Sequence, residues 1–290
     1  MSVRGASGRA LRCAGAALPL LGIGCGTALN YLDPSGPFYE ARHEAAALEA
    51  PSGGPMRVAT FNIEYAIHVD RAIDVLRSTP ELQNLDLLAL QEMDAPGVER
   101  IAQALSLNSF YAPGGVHPSS GRDFGCGLLS RWPLVEPRKV LLPHGSRGTG
   151  LRRAAVGATL LRGGRRVRVY SVHLPSPFGV SGQALKDEVD TLLADAADSA
   201  DPVVIAGDLN SHGIGERFVK AGYGWLTRTV GPTVSEMGVL KLAYDHVFTK
   251  GLCPAAPGPA AGVVHDNKKA SDHHPVWALI DAGDFSSAAQ

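Results

Sequence analysis

Close-spaced cysteines, strong charge of either sign, long apolar runs and internal repeats are all missing from this 290-residue chain, and each absence removes a class of protein. The four cysteines, at 13, 25, 126 and 253, lack the paired spacing of zinc ribbons and small disulfide scaffolds. Any bound metal is therefore expected on oxygen ligands. A Cys126–Cys253 disulfide stays open, because sequence does not fix the distance between them. Charged residues are only 19% and hydrophobic residues 45%, which excludes a disordered polyelectrolyte, and 34 Gly and 20 Pro without a period exclude a collagen-like chain. With no repeat a solenoid is excluded too, and what remains is a chain able to bury a core.

The apolar run Cys13 to Gly24 is too short for a membrane span but has the length of a secretory core. Behind Arg4, Arg9 and Arg12 it predicts a signal peptide over residues 1–24 and export, to the bacterial cell envelope or beyond it. Leu20 to Cys25 (LLGIGC) is similar to a lipoprotein signal, in which Cys25 is the lipidated first residue and ties the protein to a membrane. Ordinary cleavage after Gly26 or Ala28 is the alternative. Three of the 27 basic residues leave with such a leader, so 24 remain against 28 acidic ones, and a polyanion would have to be met locally. Arg138, Lys139, Arg147, Arg152, Arg153, Arg162, Arg165, Arg166 and Arg168 fall in a span with no acid from Pro137 to Lys186. They form either an anion-facing surface or the solvated flanks of a hairpin at Gly163 and Gly164. Residues 25–55 read as a tether with a short helix around Tyr39 to Leu48, residues 56–281 as one domain, and residues 282–290 as a tail.

Within that domain, short β-branched apolar runs predict strands at Arg57–Ile63, Leu87–Glu92, Gly127–Ser130, Ala154–Leu161, Arg166–His173, Val203–Leu209, Tyr244–Thr249 and Pro275–Ile280. A 3.6-residue period predicts helices at Val69–Ser78, Gly97–Leu105 and Gln183–Ala197. The antiparallel hairpin among these strands favours a mixed α/β sandwich over a purely parallel sheet. Its strands end in groups that bind cations or move protons: Asn62, Glu92, His173, and Asp208 with Asn210. Asp245 and His246 open another strand, and Asp272, His273 and His274 precede the last. Any one of these alone would be an ordinary solvated residue. If the ends share one rim, their oxygens suit a hard cation such as Mg²⁺, Mn²⁺ or Ca²⁺, and the imidazoles suit phosphoryl chemistry.

In wording and order, RVATFNIEY, LLALQEMD, GLLSRWPL, YSVHLPS, VVIAGDLNS, YDHVF and SDHHPVWALI resemble the endonuclease/exonuclease/phosphatase superfamily over about residues 56–281. The resemblance implies a four-layer α/β/β/α sandwich with two mixed sheets, and a hydrolase acting on phosphoester bonds. Carried onto this chain, Glu92 would be the main metal ligand, with Asn62 and Asp272 helping to hold or orient the ion or its waters. Asp208 would orient or deprotonate water and Asn210 would bond the phosphate. His273, held by Asp245, would contact a phosphate oxygen or transfer a proton. His173 would serve the same charge or protonate the leaving group.

The family often has an Arg and a Gln in the helix after the His173 motif, where Lys186, Asp187, Glu188 and Asp190 stand here. Gln91, Trp132, His274 and Trp277 read as structural. His173 argues against the abasic-site branch, which usually carries tyrosine there. Extracellular nucleic acid or phospholipid is left as the substrate of an expected monomer. Nucleic acid would be met by the arginine span, with Arg147, Arg152 and Arg153 in a loop and Arg153 lining the site. Phospholipid would be met by Cys25 and an apolar lip at Pro175, Pro177 and Phe178. A noncatalytic surface-displayed binding module is the competing class, and it would be expected to have lost some of these polar groups.

Overall fold

The computed structural model describes residues 27–42, 54–236, 240–255 and 258–281; the leader with Cys25, residues 43–53 and the tail 282–290 lie outside them. Ten principal strands follow in chain order: β1 (Met56–Asn62), β2 (Leu87–Met93), β3 (Asn108–Val116), β4 (Asp123–Ser130), β5 (Leu134–Gly145), β6 (Arg152–Arg162), β7 (Arg165–His173), β8 (Val203–Asp208), β9 (Asp245–Lys250) and β10 (Val276–Asp281). Four helices, α1 (Val69–Ser78), α2 (Ala95–Leu105), α3 (Gly182–Ala197) and α4 (Gly215–Lys220), complete the frame. One sheet runs β3-β4-β2-β1-β10 and the other β9-β8-β7-β6-β5, with short strands at their edges. Each is mixed: β1 and β2 pair in parallel, as do β7 and β8, and the other principal pairs are antiparallel.

Alternation along the strands explains the layers. In β8, Val204 and Ala206 enter the core between the sheets while Val203 and Ile205 pack under α3 and α4. In β1, Met56 and Val58 join the inter-sheet core and Ala59 and Phe61 pack under α1 and α2. Three apolar layers thus separate four layers of secondary structure, the α/β/β/α sandwich expected. Ser181 caps α3 and Asp94 caps α2, each accepting a backbone N–H of the first turn. Cys126 is buried, Cys253 is exposed, and both are free thiols. Among the described residues no helix is long and apolar enough to cross a membrane.

Two expectations need correction. The first part of the expected tether is part of the body: Leu29–Asn30 and Tyr39–Ala41 both pair with β3, so Tyr39 opens a short strand rather than a helix. Lys139 on β5 donates to the carbonyls of Tyr31 and Gly36, and Phe38 packs on Phe110. Burial pulls the Lys139 pKa down to about 8, against the favourable charges of Asp33 and Asp123. Strands β3 and β5 are also additions, since glycines and prolines hide them in the sequence. Gly125 in β4 shows why glycine is tolerated there: a Cβ would lie 2.3 Å from the Ala112 carbonyl oxygen on β3.

Candidate active site

Strand direction gathers the polar ends. The parallel pairs align Asn62 with Gln91 and Asp208 with His173, so β1, β2, β7 and β8 all finish at one end of the sandwich. Asp245 opens antiparallel β9 opposite Asp208, and His273 lies just ahead of β10, which runs antiparallel to β1. Gly207 sets the position of Asp208, because a Cβ there would lie 1.9 Å from the Val172 carbonyl oxygen. Glu92 occupies a bulge between Leu90 and Met93 with φ 58°, which turns its carboxylate out of the ladder. Beside it Gln91 is buried, accepting from Thr60 and donating to Ser171, and so ties the two sheets together.

Asp208 is the hub. Its Oδ1 accepts from the Asn210 amide at 2.7 Å, and its Oδ2 accepts from Asn62 Nδ2 at 3.0 Å and Asn210 Nδ2 at 3.3 Å. His173 Nε2 lies 3.3 Å and His273 Nε2 3.8 Å from the same Oδ2. Burial drives the Asp208 carboxyl up to about 7; the His273 charge opposes the rise and Asp245 adds to it. His273 Nδ1 sits 2.8 Å from Asp245 Oδ2. Burial would neutralise this ring, but Asp245 and Asp208 outweigh it and lift its pKa to about 10, so it is an imidazolium at neutral pH.

His173 is the opposite case. Burial, the Arg153 guanidinium against its ring and the His273 charge push its pKa well below the usual range, so it is a neutral hydrogen-bonding group. The sequence left its charge open; with two cations beside it, a third is not accommodated. Its Nε2 also lies 3.7 Å from Glu92 Oε1. Glu92 Oε2 accepts the Tyr65 amide at 3.2 Å, and the carboxyl is raised by burial despite Arg153 and His273. Asp272 is exposed, and its charge is one of the influences that raise Glu92 and Tyr65, after burial. Asn62 Oδ1 accepts the Glu64 amide, and Asn210 Nδ2 also donates to the Leu174 carbonyl, so both side chains brace the site as well as face it.

Thr233 and Phe124 were not singled out from sequence. Thr233 donates its hydroxyl to Asp245 Oδ2 at 2.7 Å and accepts the amides of Tyr244 and Asp245. Glu64, Tyr65 and Ala66 all have positive φ, a strained turn that delivers the Tyr65 amide to Glu92. Phe124 packs on His173 at 5.7 Å and under Arg153 at 5.2 Å.

The arginine span does not form a continuous stripe. Arg138 pairs with Asp195, Arg162 with Asp86, Arg166 with Glu136 and Asp201, and Arg168 with Glu136, all acids from outside the span. Arg152 and Arg153 are on strand β6 rather than in a loop, and of the two Arg153 reaches the site. The acids of α3 also serve structure. Asp187 pairs with His144, Asp190 with Arg217, and buried Glu188 accepts the His144 amide at 2.9 Å.

Burial lifts the Glu188 pKa from 4.5 to about 7, so the folded chain binds a proton that the unfolded chain releases between those values. Stability attributable to this group is therefore complete below 4.5, declines as pH rises to about 7, and is flat above. Glu188→Gln is expected to remove about 2 kcal/mol of that decline. Denaturant melts at pH 5 and pH 8 measure it, and an unchanged pH dependence would contradict the assignment.

A buried carboxylate bridged to two imidazoles, with further carboxylates and an arginine at the end of a two-sheet sandwich, places this chain among phosphoester hydrolases. The sequence profile of the Endonuclease/Exonuclease/phosphatase family matches residues 59–273. The chain belongs to that family and is a hydrolase acting on phosphoester bonds. No curated protein matches it in sequence. Solved structures share the fold. A family protein from Leptotrichia buccalis superposes with TM-score 0.63 at 16% identity, covering 78% of this chain and 99% of that one. One from Beutenbergia cavernae gives 0.60 at 23% identity, covering 79% and 72%. D. rerio TDP2, complexed with single strand DNA product, gives 0.62 at 16% identity, covering 79% and 100%.

Proposed function

We propose that the protein is a divalent-metal-dependent phosphodiesterase that acts outside the cytoplasm. The observation that carries this reading is Asp208, a buried carboxylate fixed by Asn62 and Asn210 and flanked by a neutral and a cationic imidazole. Such a carboxylate can align a water and take its proton. The His273 imidazolium, steadied by Asp245, then meets charge on a non-bridging oxygen, and Arg153 adds a second cation. Neutral His173 offers a hydrogen bond to the phosphate or the departing oxygen. Asn210 holds Asp208 in place and has its longer, 3.3 Å bond to yield to a phosphate oxygen.

The donor set fits a hard cation on the Glu92 side. Glu92 and exposed Asp272 offer carboxylate oxygens and no thiolate, and the Asp272 charge that works against ionisation of Glu92 is what a cation relieves. Glu92 and Asp272, with the Asn62 oxygen, would hold Mg²⁺ or Mn²⁺, with Ca²⁺ also suited, and the ion would neutralise phosphate charge. Asp208, Asp245 and His273 also bring ligand atoms within 4.8 Å of one another. That trio is better read as a proton-sharing set, because an imidazolium has no free lone pair for a metal.

EDTA is expected to abolish hydrolysis of bis(p-nitrophenyl) phosphate, with Mg²⁺ or Mn²⁺ restoring it. Asp272→Ala is expected to lower turnover at least about a hundredfold. Full activity in EDTA, or near-normal rates in the variant, would overturn the metal assignment.

A further inference from the structure

We infer that the rim around the active site docks on a lipid bilayer, so that the phosphoester it meets is in a lipid headgroup. This rests on the phosphodiesterase reading and names its substrate class. Among the described residues six large hydrophobic side chains are exposed, and three of them stand on segments that frame the site: Phe178 at 82%, Leu29 at 61% and Ile67 at 56%.

Their placement follows from contacts. Phe178 is five residues beyond His173, in the turn after β7, where Pro177 is exposed and Pro175 is buried. That turn is joined to the loop before β6 by the Arg147 amide, which donates to the Gly179 carbonyl. The same loop receives the N-terminal strand: the Ala28 amide donates to Thr149, Asn30 Nδ2 donates to the Gly150 carbonyl, and the Arg152 amide donates to Asn30 Oδ1. Leu29 pairs with Val116, and the next residue, His117, packs against Tyr65 at 4.8 Å. Ile67 lies two residues past Tyr65, whose amide is on Glu92. The three side chains thus belong to one continuous arc of segments beside His173 and Glu92.

Two further observations choose a bilayer over a nucleic acid. Arg138, Arg162, Arg166 and Arg168 are paired with acids away from the rim, which breaks a phosphate-tracking stripe, whereas exposed Arg147 lies between Leu29 and Phe178, a cation among apolar tips of the kind that suits a headgroup layer. The chain also enters the folded body on this rim. Cys25, the first residue left once a leader of residues 1–24 is removed, heads a segment that meets Ala28 three residues on, a reach of about 10 Å. Whatever membrane contact that segment makes would hold this end of the sandwich against the surface.

The test uses the protein as expressing cells process it. Phe178→Trp introduces an indole at the rim, and Ala200→Trp introduces one in the exposed turn before β8, at the opposite end of the sheets. With vesicles of phosphatidylcholine and phosphatidylglycerol, brominated acyl chains are expected to quench the first and spare the second, relative to the native protein. Phe178→Asp is expected to weaken vesicle partitioning at least about tenfold, the loss of one buried aromatic side chain. Turnover of bis(p-nitrophenyl) phosphate should stay within about twofold of native, since that small ester needs no docking. No quenching at 178, equal quenching at both positions, unchanged partitioning of Phe178→Asp, or quenching at 178 by a single-stranded oligonucleotide instead of lipid would each overturn the proposal. Hydrolysis of the small ester by native protein tests the phosphodiesterase reading separately.

Discussion

Asp208→Asn is expected to lower phosphodiester turnover about a thousandfold without unfolding the protein, which is the scale of removing a general base. Two physical losses combine. A carboxamide cannot accept the proton of an attacking water at neutral pH. It also cannot keep the hydrogen bonds: Asp208 accepts on both oxygens, from the Asn210 amide on one side and from Asn62 and Asn210 Nδ2 on the other. An Asn places a second donor against one of these donors whichever way it turns. Steady-state rates with the small diester, alongside circular dichroism to verify the fold, measure the effect. A rate within about tenfold of native would remove Asp208 from proton transfer and leave it a structural anchor.

The site was legible in the sequence for a particular reason. Asn62, Glu92, His173 and Asp208 end apolar runs, and parallel pairing of β1 with β2 and β7 with β8 forces such ends together. The expectation that Asp245 would hold His273 followed from the resemblance, and the contact is there at 2.8 Å. What the sequence hid depends on contacts distant along the chain. Thr233 follows Gly231 and Pro232 in a segment without periodicity, and only the fold brings its hydroxyl to Asp245. The arginine span looked continuous because its partners, Asp86, Glu136, Asp195 and Asp201, all fall outside it. Strand β3 carries Pro113, Gly114 and Gly115, which interrupt any β-branched run, although close approach of neighbouring backbones requires the two glycines. The strands Leu29–Asn30 and Tyr39–Ala41 are too short to display a period of two, so a segment clasped by Lys139 read as a tether.

His273→Ala and Asp245→Asn are expected to act as one unit. Each should lower turnover at least about a hundredfold, and the double variant should be little worse than the stronger single one. His273 owes its charge to Asp245: burial alone would neutralise the ring, and the carboxylate 2.8 Å from Nδ1 reverses that outcome. Without Asp245 the imidazole loses both its orientation and the charge it presents toward Asp208 and the phosphate. Without His273, Asp245 has nothing left to position, although Thr233 still bonds it. Thr233→Ala should have the same character and a smaller size, since of its three bonds only the one to the Asp245 carboxylate bears on the pair, about 1 kcal/mol or roughly fivefold in rate. Rate losses that simply multiply in the double variant would mean that Asp245 and His273 contribute separately, and the pairing would then be a packing contact rather than part of the chemistry.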